Sequence, residues 1–196
     1  MIRMLQSATF RKWHSKLRDE RAKAAIARRL LRLAQVNPGD VSPVGEGISE
    51  LRIHHGPGYR VYFQKRGELI MLLLCAGDRA HRIETSERRK RSPPNGVISM
   101  SEKFTEFDVS DLLTSERAIE AFLTEAMETG DAQHIASALG AVARVKGMTK
   151  IARETGLARE HLYRSLSENG NPTLETTLAV LKTFGFHLMP KHDAAV

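Results

Sequence analysis

Four side chains in one short stretch have the types needed for chemistry on a phosphate. They are Arg52, His54, Arg60 and Tyr62, within "ELRIHHGPGYRVYFQKRGELIMLLLCAGDR", residues 50–79. The stretch alternates polar with apolar residues, as a half-buried strand does. Its apolar alternates are Leu51, Ile53, Val61 and Phe63. Placing those four on one side predicts a hairpin that pairs 54 with 60, 53 with 61 and 52 with 62, closed by Gly56-Pro57-Gly58. Two guanidiniums, an imidazole and a phenol then form one polar patch. Two arginines can hold a phosphate and stabilise charge growing on it, and a His or Tyr can move protons. This is the equipment for metal-free RNA cleavage, in which a ribose 2′-OH attacks the adjacent phosphate. The same residues would also make an ordinary basic, solvent-facing sheet surface.

Other chemistries lack their motifs. There is no P-loop, no Gly-x-Ser-x-Gly and no paired-carboxylate motif, and the eight histidines show no ligand spacing. Neither a metal site nor a cofactor is expected. The lone cysteine, Cys75, lies in the apolar run Leu69 to Ala76 and reads as a small buried hydrophobe. A single Cys excludes a disulfide framework and fits a reducing cytoplasm. That apolar run is far too short to span a bilayer, and "MIRMLQSATFRKW" carries no signal-peptide core.

The elements that must position the patch are legible in outline. Phe10, Trp13 and Leu17 mark a short helix. Ala22, Ile26, Leu30 and Leu33 mark a second, from Asp19 to Asn37-Pro38-Gly39. Strand-like runs follow at 41–46, 48–54, 59–65 and 68–75. The first part is thus expected to be α+β, two helices on an antiparallel sheet. Residues 84–99, "ETSERRKRSPPNGVIS", read as a linker, with a reach of ~55 Å when extended. The remainder is expected to be all-α, with "FHLMP", 186–190, as a terminal strand.

Charge divides the chain along similar lines. Residues 1–98 hold 20 Lys/Arg and 9 Asp/Glu, net +11, and residues 99–196 hold 10 and 14, net −4. Within the second half, 101–131 carries 9 acids and 2 bases, whereas 144–166 carries 6 bases and 2 acids. Each basic part suggests a polyanion partner, and the acidic segment could cover the basic module.

"GDVSPVGEGISELRIHHGPGYRVYF" followed by "LLLCAGDR" resembles the RelE/ParE toxin superfamily, in its HigB-like branch, over roughly residues 5–80. The resemblance implies a microbial-RNase-like fold that cleaves ribosome-bound mRNA, with Arg52 and Arg60 as substrate or catalytic residues. His54 and Tyr62 are candidates beside them by their own proton-moving chemistry, and Arg79, standing where the family carries Lys, is a further candidate. ParE-like relatives would instead act on gyrase, a reading the arginine-rich patch disfavours.

In the second half, "MTKIARETGLAREHLYRSLSENGNPTLETTLAVLKTFG", 148–185, has helix-turn-helix spacing. Gly156 permits the turn, and Leu157, Leu162 and Leu166 bury the second helix. Arg159, Glu160, Tyr163 and Arg164, with His161 nearby, are left to face a DNA major groove. Ala158 offers that helix no side-chain cap. "FDVSDLL", "ALGAVARVKGM", "TGLAREHLYRSLSENGNP" and "TLETTLAVLKTFG" resemble HigA-like, Xre-type antidote proteins over nearly all of 101–190. That resemblance implies a homodimer on a palindromic operator that silences its toxin. "MSEKFTEFDVSDLL" also looks like a native start at Met100. The expected organisation is therefore a toxin-like domain at 1–83, a linker at 84–99 and an antidote-like domain at 100–196. Phe104, Glu106, Phe107, Asp108 and Asp111 are the expected neutralising residues, acting on the toxin domain in cis or in trans. The rival expectation is a transcription regulator whose toxin-like half is inactive.

Overall fold

A computed structural model of the chain describes residues 2–35, 37–45, 47–67, the backbone of 70–78, and 103–190. Arg79, the linker 84–99, Met100 and the side chain of Cys75 lie outside the described residues. The chain divides into two compact units, Met1–Glu128 and Thr129–Val196.

The first unit opens with strand β1 (Arg3–Ser7), then helices α1 (Ala8–Lys16) and α2 (Glu20–Ala34). Ser7 and Asp19 cap these helices by accepting from the backbone N–H three residues on, which satisfies a donor that the first turn leaves orphaned. Strands β2 (Val41–Gly45), β3 (Ile48–Ile53), β4 (Tyr59–Arg66) and β5 (Ile70–Asp78) follow. Later in the chain come β6 (Phe104–Glu106), a 3-10 turn (Val109–Leu112) and α3 (Glu116–Met127). One sheet collects all six strands in the order β2-β3-β4-β5-β1-β6.

Its pairs are antiparallel except β1 with β5, which run parallel. The sheet is therefore mixed rather than wholly antiparallel: β1, separated from the later strands by α1 and α2, lies parallel beside β5, whereas β2 to β5 follow one another antiparallel. Leu51, Ile53, Val61 and Phe63 are all buried, as expected of the inner face, and α2 packs against β3. The fully buried Phe10, Ile26, Leu30, Leu31 and Leu33 supply the helical side of this core.

The second unit is helical: α4 (Ala132–Lys146), α5 (Met148–Thr155), α6 (Arg159–Ser165) and α7 (Leu174–Phe184). Residues 186–190 form no strand. Their alternation has no strand partner among the described residues of this unit, and a lone strand leaves its backbone groups unpaired. Asp131 and Thr173 cap α4 and α7, while α6, preceded by Ala158, has no side-chain cap. Gly140 marks a close approach: a Cβ there would collide with the carbonyl oxygen of Leu166 at the end of α6.

Candidate functional site

The arginine patch is built by the β3–β4 hairpin. Arg52 pairs directly with Arg60, Leu51 with Val61, Ile53 with Tyr59 and Glu50 with Tyr62. This register differs by two residues from the one expected. A two-residue slip keeps each side chain on its face, so Arg52, Arg60 and Tyr62 still share the side opposite the buried Leu51 and Val61. The reason for the slip is Tyr59. Its ring is buried and meets Trp13 edge-on at 6.2 Å, so it belongs to the apolar set and extends the ladder by one pair.

The connection is consequently His54-His55-Gly56-Pro57-Gly58, longer than the three-residue turn expected. Gly56 and Gly58 both take positive φ there, 53° and 82°, conformations that cost glycine nothing. His54 thus leaves the strand. It is exposed in the loop and donates from Nε2 to Asp40 Oδ2 at 2.7 Å. That hydrogen bond, with help from the Arg52 charge, holds the Asp40 carboxyl below its ordinary range.

Glu50, a residue that charge and alternation did not single out, sits between the arginines. It is almost wholly buried. Its Oε1 accepts from Arg52 Nε at 2.8 Å and lies 3.3 Å from Arg60 Nε. The hydrogen bond from Arg52 to Glu50, then the charges of Glu50 and Asp40, bind the Arg52 proton more firmly than usual. Arg52, Ile53, His54, Gly58, Tyr59 and Arg60 line a cavity of about 120 Å³. That is smaller than the ~300–1,000 Å³ of drug-sized sites and suits a compact anion. A β-bulge in the β4–β5 pairing falls at Tyr62/Phe63 beside it, a distortion that often borders functional sites. Among the described residues, no group of three His, Cys, Asp or Glu side chains could hold a metal ion.

The acidic segment docks elsewhere on the same unit. Strand β6 adds to the free edge of β1, pairing Leu5 with Glu106, Gln6 with Thr105 and Ser7 with Phe104. The Phe107 N–H continues the contact by donating to Met4 O at 3.0 Å. Its ring is buried edge-on against Phe10, with centroids 5.6 Å apart. The 3-10 turn and α3 then pack on α2, burying Val109, Leu112, Ile119, Phe122 and Leu123.

Of the five segment residues named from sequence, Phe107 is buried, Phe104 is half-buried, and Glu106 makes an exposed ion pair with Arg3 at 2.9 Å. Asp108 caps its own turn through the Ser110 N–H, and Asp111 accepts from Gln6 Nε2 at 3.4 Å. Two contacts went unforeseen. Arg28 Nε donates to Glu125 Oε2 at 2.6 Å, and Ser115 Oγ donates to Glu20 Oε2 at 2.6 Å. Acid meets base at few points, and apolar burial forms the bulk of the contact.

Beneath this docked segment lies His14, buried against the Phe10 and Phe107 rings, its Nε2 donating to Gln6 Oε1 at 3.0 Å. Burial pushes its pKa down from 6.5. The Asp111 carboxylate pulls it back up, and Lys23 and Arg11 add to the lowering. The unfolded chain therefore binds more protons than the folded one between the lowered value and 6.5, so stability must rise with pH there. The stabilisation from neutral His14 is present above pH 6.5 and is lost as the solution is acidified below it. Denaturant titrations across pH 5–7 should show this slope in the native chain and a flatter one in His14→Gln. Equal slopes in the two proteins would remove His14 as the cause.

In the second unit, α5 and α6 are joined by the three-residue turn Gly156-Leu157-Ala158, with Gly156 in the left-handed region at φ 72°. Ile151, Leu162 and Leu166 are buried. Arg159, Glu160, Tyr163 and Arg164 are exposed, and His161 is half-buried. The Arg159 guanidinium lies over the Tyr163 ring, 5.6 Å from its centroid.

Residues 103–192 match the family described as "Probable addiction module antidote protein". This stretch belongs to the addiction-module antidote family. An antidote-type domain sets the chain in a toxin–antitoxin context and implies a toxin as partner. The antidote stretch does not coincide with one compact unit: residues 103–128 lie in the first and 129–192 in the second. The chain is also similar to two uncharacterized proteins of Haemophilus influenzae strain Rd. One is 45% identical over 83 residues, covering 42% of this chain and 86% of the relative. The other is 46% identical over 79 residues, covering 40% and 80%. No solved structure matches the chain. No described helix is long and apolar enough to cross a membrane.

Proposed function

We propose that the chain is a toxin–antitoxin module in one polypeptide. Residues 1–83 act as a RelE/ParE-type, metal-independent endonuclease on ribosome-bound mRNA. Residues 100–196 act as a HigA-like antidote that neutralises it and, as a homodimer, represses from an operator. The observation that carries this reading is the docking of the family-matched antidote segment, β6 to α3, onto β1 and α2 of the first unit. Antidote residues buried against a basic α+β body are what a toxin and its inhibitor would look like when joined. Each relative spans only about two-fifths of this chain yet at least four-fifths of its own length, which favours a chain holding more than one such protein's worth of sequence. Arg52 and Arg60 at the cavity are the substrate-phosphate residues in this reading, with His54 and Tyr62 beside them and Arg79 as an additional candidate.

The test is expression of residues 1–83 alone, beside the full chain. Growth arrest with ribosome-dependent mRNA cleavage by the fragment, relieved by co-expressed 100–196, supports the proposal. Arrest with gyrase inhibition would point to a ParE-like target. A folded fragment without effect would leave a regulator with an inactive toxin-like domain.

The α5–turn–α6 pair would serve as the DNA reader. The exposure of Arg159, Tyr163 and Arg164 on a short helix supports this, as does the 144–166 charge of 6 bases and 2 acids. Arg159→Ala or Arg164→Ala should weaken operator binding by about 1–3 kcal/mol where the lost contact is to a base, with relaxed specificity. A lost phosphate contact should instead weaken all sequences alike and lower the salt slope. Titrations at two salt concentrations separate these cases. Unchanged affinity in both variants would move the reading surface elsewhere.

A further inference from the structure

The hairpin register sets a physical problem that Glu50 solves. Arg52 and Arg60 are directly opposite each other across β3 and β4, and like charges in that position repel and destabilise the sheet. Unassisted, the two side chains would splay apart into solvent. Glu50 lies on the same face two residues before Arg52, almost wholly buried, and one of its oxygens reaches the Nε of both arginines, at 2.8 and 3.3 Å. A buried carboxylate is costly without partners, and here it has two.

The engaged atom matters. A guanidinium grips an anion through a planar fork of N–H donors. Glu50 accepts from Arg52 Nε, faces Arg60 Nε at ion-pair distance, and leaves the terminal amino groups of Arg60 bonded to none of the described residues. Those of Arg52 have only a distant Asp40 contact, at 3.8 Å. Both arginines line the same small cavity.

We propose that Glu50 is a positioning residue, which converts two mutually repelling arginines into one preorganised clamp for an RNA phosphate. The proposal rests on the phosphate-site reading above. It also pits geometry against net charge. Replacing Glu50 by a neutral residue makes the patch more cationic, so simple attraction would strengthen RNA binding, whereas loss of a clamp weakens it.

The experiment uses the full chain carrying Arg159→Ala and Arg164→Ala, so that the second basic cluster does not mask the first. The probe is a short fluorescent RNA with 2′-O-methyl riboses, which cannot be cleaved, titrated at two salt concentrations. Glu50→Gln should bind about tenfold more weakly, the scale of a lost hydrogen bond to a charged group. Glu50→Asp, which keeps the charge on a shorter arm, should fall in between. Arginine Nε–H nuclear magnetic resonance of the same proteins should show an exchange-protected signal, assigned to Arg52, that vanishes in Glu50→Gln, and an Arg60 signal that shifts with it.

Glu50→Gln binding as tightly as the parent or tighter, while Arg60→Ala is weakened, overturns the positioning role and leaves the phosphate site standing. Arg60→Ala binding like the parent overturns both. Should Glu50→Gln fail to fold, Glu50→Asp and the parent spectrum decide: undiminished binding by Glu50→Asp, or no protected Nε–H signals in the parent, sinks the proposal.

Discussion

Phe107→Ala should cost the first unit about 3–5 kcal/mol, the usual range for truncating a buried phenylalanine. That is a large share of the ~5–15 kcal/mol that separates a typical folded domain from its unfolded chain. The ring is buried edge-on against Phe10 and close to His14, and its backbone N–H extends the β6–β1 pairing to Met4. Truncation opens a cavity at the point where the acidic segment enters the core. Glu106→Lys should cost far less, roughly 0.2–1 kcal/mol, because the Arg3 and Glu106 side chains are 64% and 70% exposed. Urea unfolding of the two variants, with limited proteolysis of the 104–128 segment, gives the comparison. A charge reversal as damaging as the aromatic truncation would make the docking electrostatic after all. Under the proposed function, Phe107→Ala should also bring back part of the growth arrest in the full chain, and Glu106→Lys should not.

The contrast between those two variants shows what charge counting can and cannot reveal. The acidic segment does pack on β1 and α2 of the net +11 half, but the charges form little of that contact and did not indicate its kind. The contact is an added strand plus a helix packed on a helix, and both depend on period and burial more than on sign. Phe107 was readable as an anchor because it stands out as an apolar residue in a polar run. Glu125 and Ser115 were not, since an isolated acid or hydroxyl on a helix carries no local signal of its partner almost a hundred residues away.

Strand β1 was missed for a related reason. "RMLQS" alternates over too few residues to be distinguished from a helix lead-in, and its strand character comes from β5 and β6, which flank it. The hairpin strands were legible because eight or more alternating residues surround an obvious glycine-proline turn. The exact register was not. It was decided by whether Tyr59 counts as apolar or polar, and only its burial beside Trp13 answers that. Glu50 was hidden because it looked like an ordinary strand-end acid. Its importance follows from the register, which brings Arg52 opposite Arg60 and leaves one carboxylate beneath the pair.

That same geometry makes Arg60 the sharper probe of activity. Under the proposed function, Arg60→Ala should lower mRNA cleavage by residues 1–83 about 10²–10³-fold, the scale of removing one donor to a developing oxyanion, and should abolish growth arrest. The fold should survive. Glu50 keeps its shorter bond, to Arg52 at 2.8 Å, after the 3.3 Å partner is gone, so no buried carboxylate is stranded. Arg52→Ala is the less clean choice, because it removes the closer partner and also the Asp40 contact.

Arg60→Lys adds a second control. It keeps the positive charge but loses the planar fork and the Nε that faces Glu50, so it should be nearly as defective as alanine. Cleavage assays on ribosomes, growth curves and unfolding of the full-length variants together separate lost chemistry from lost stability. A folded Arg60→Ala fragment that still arrests growth fully would place the site away from the hairpin. A fully active Arg60→Lys would show that charge alone, and not the shape of the clamp, is what the substrate meets.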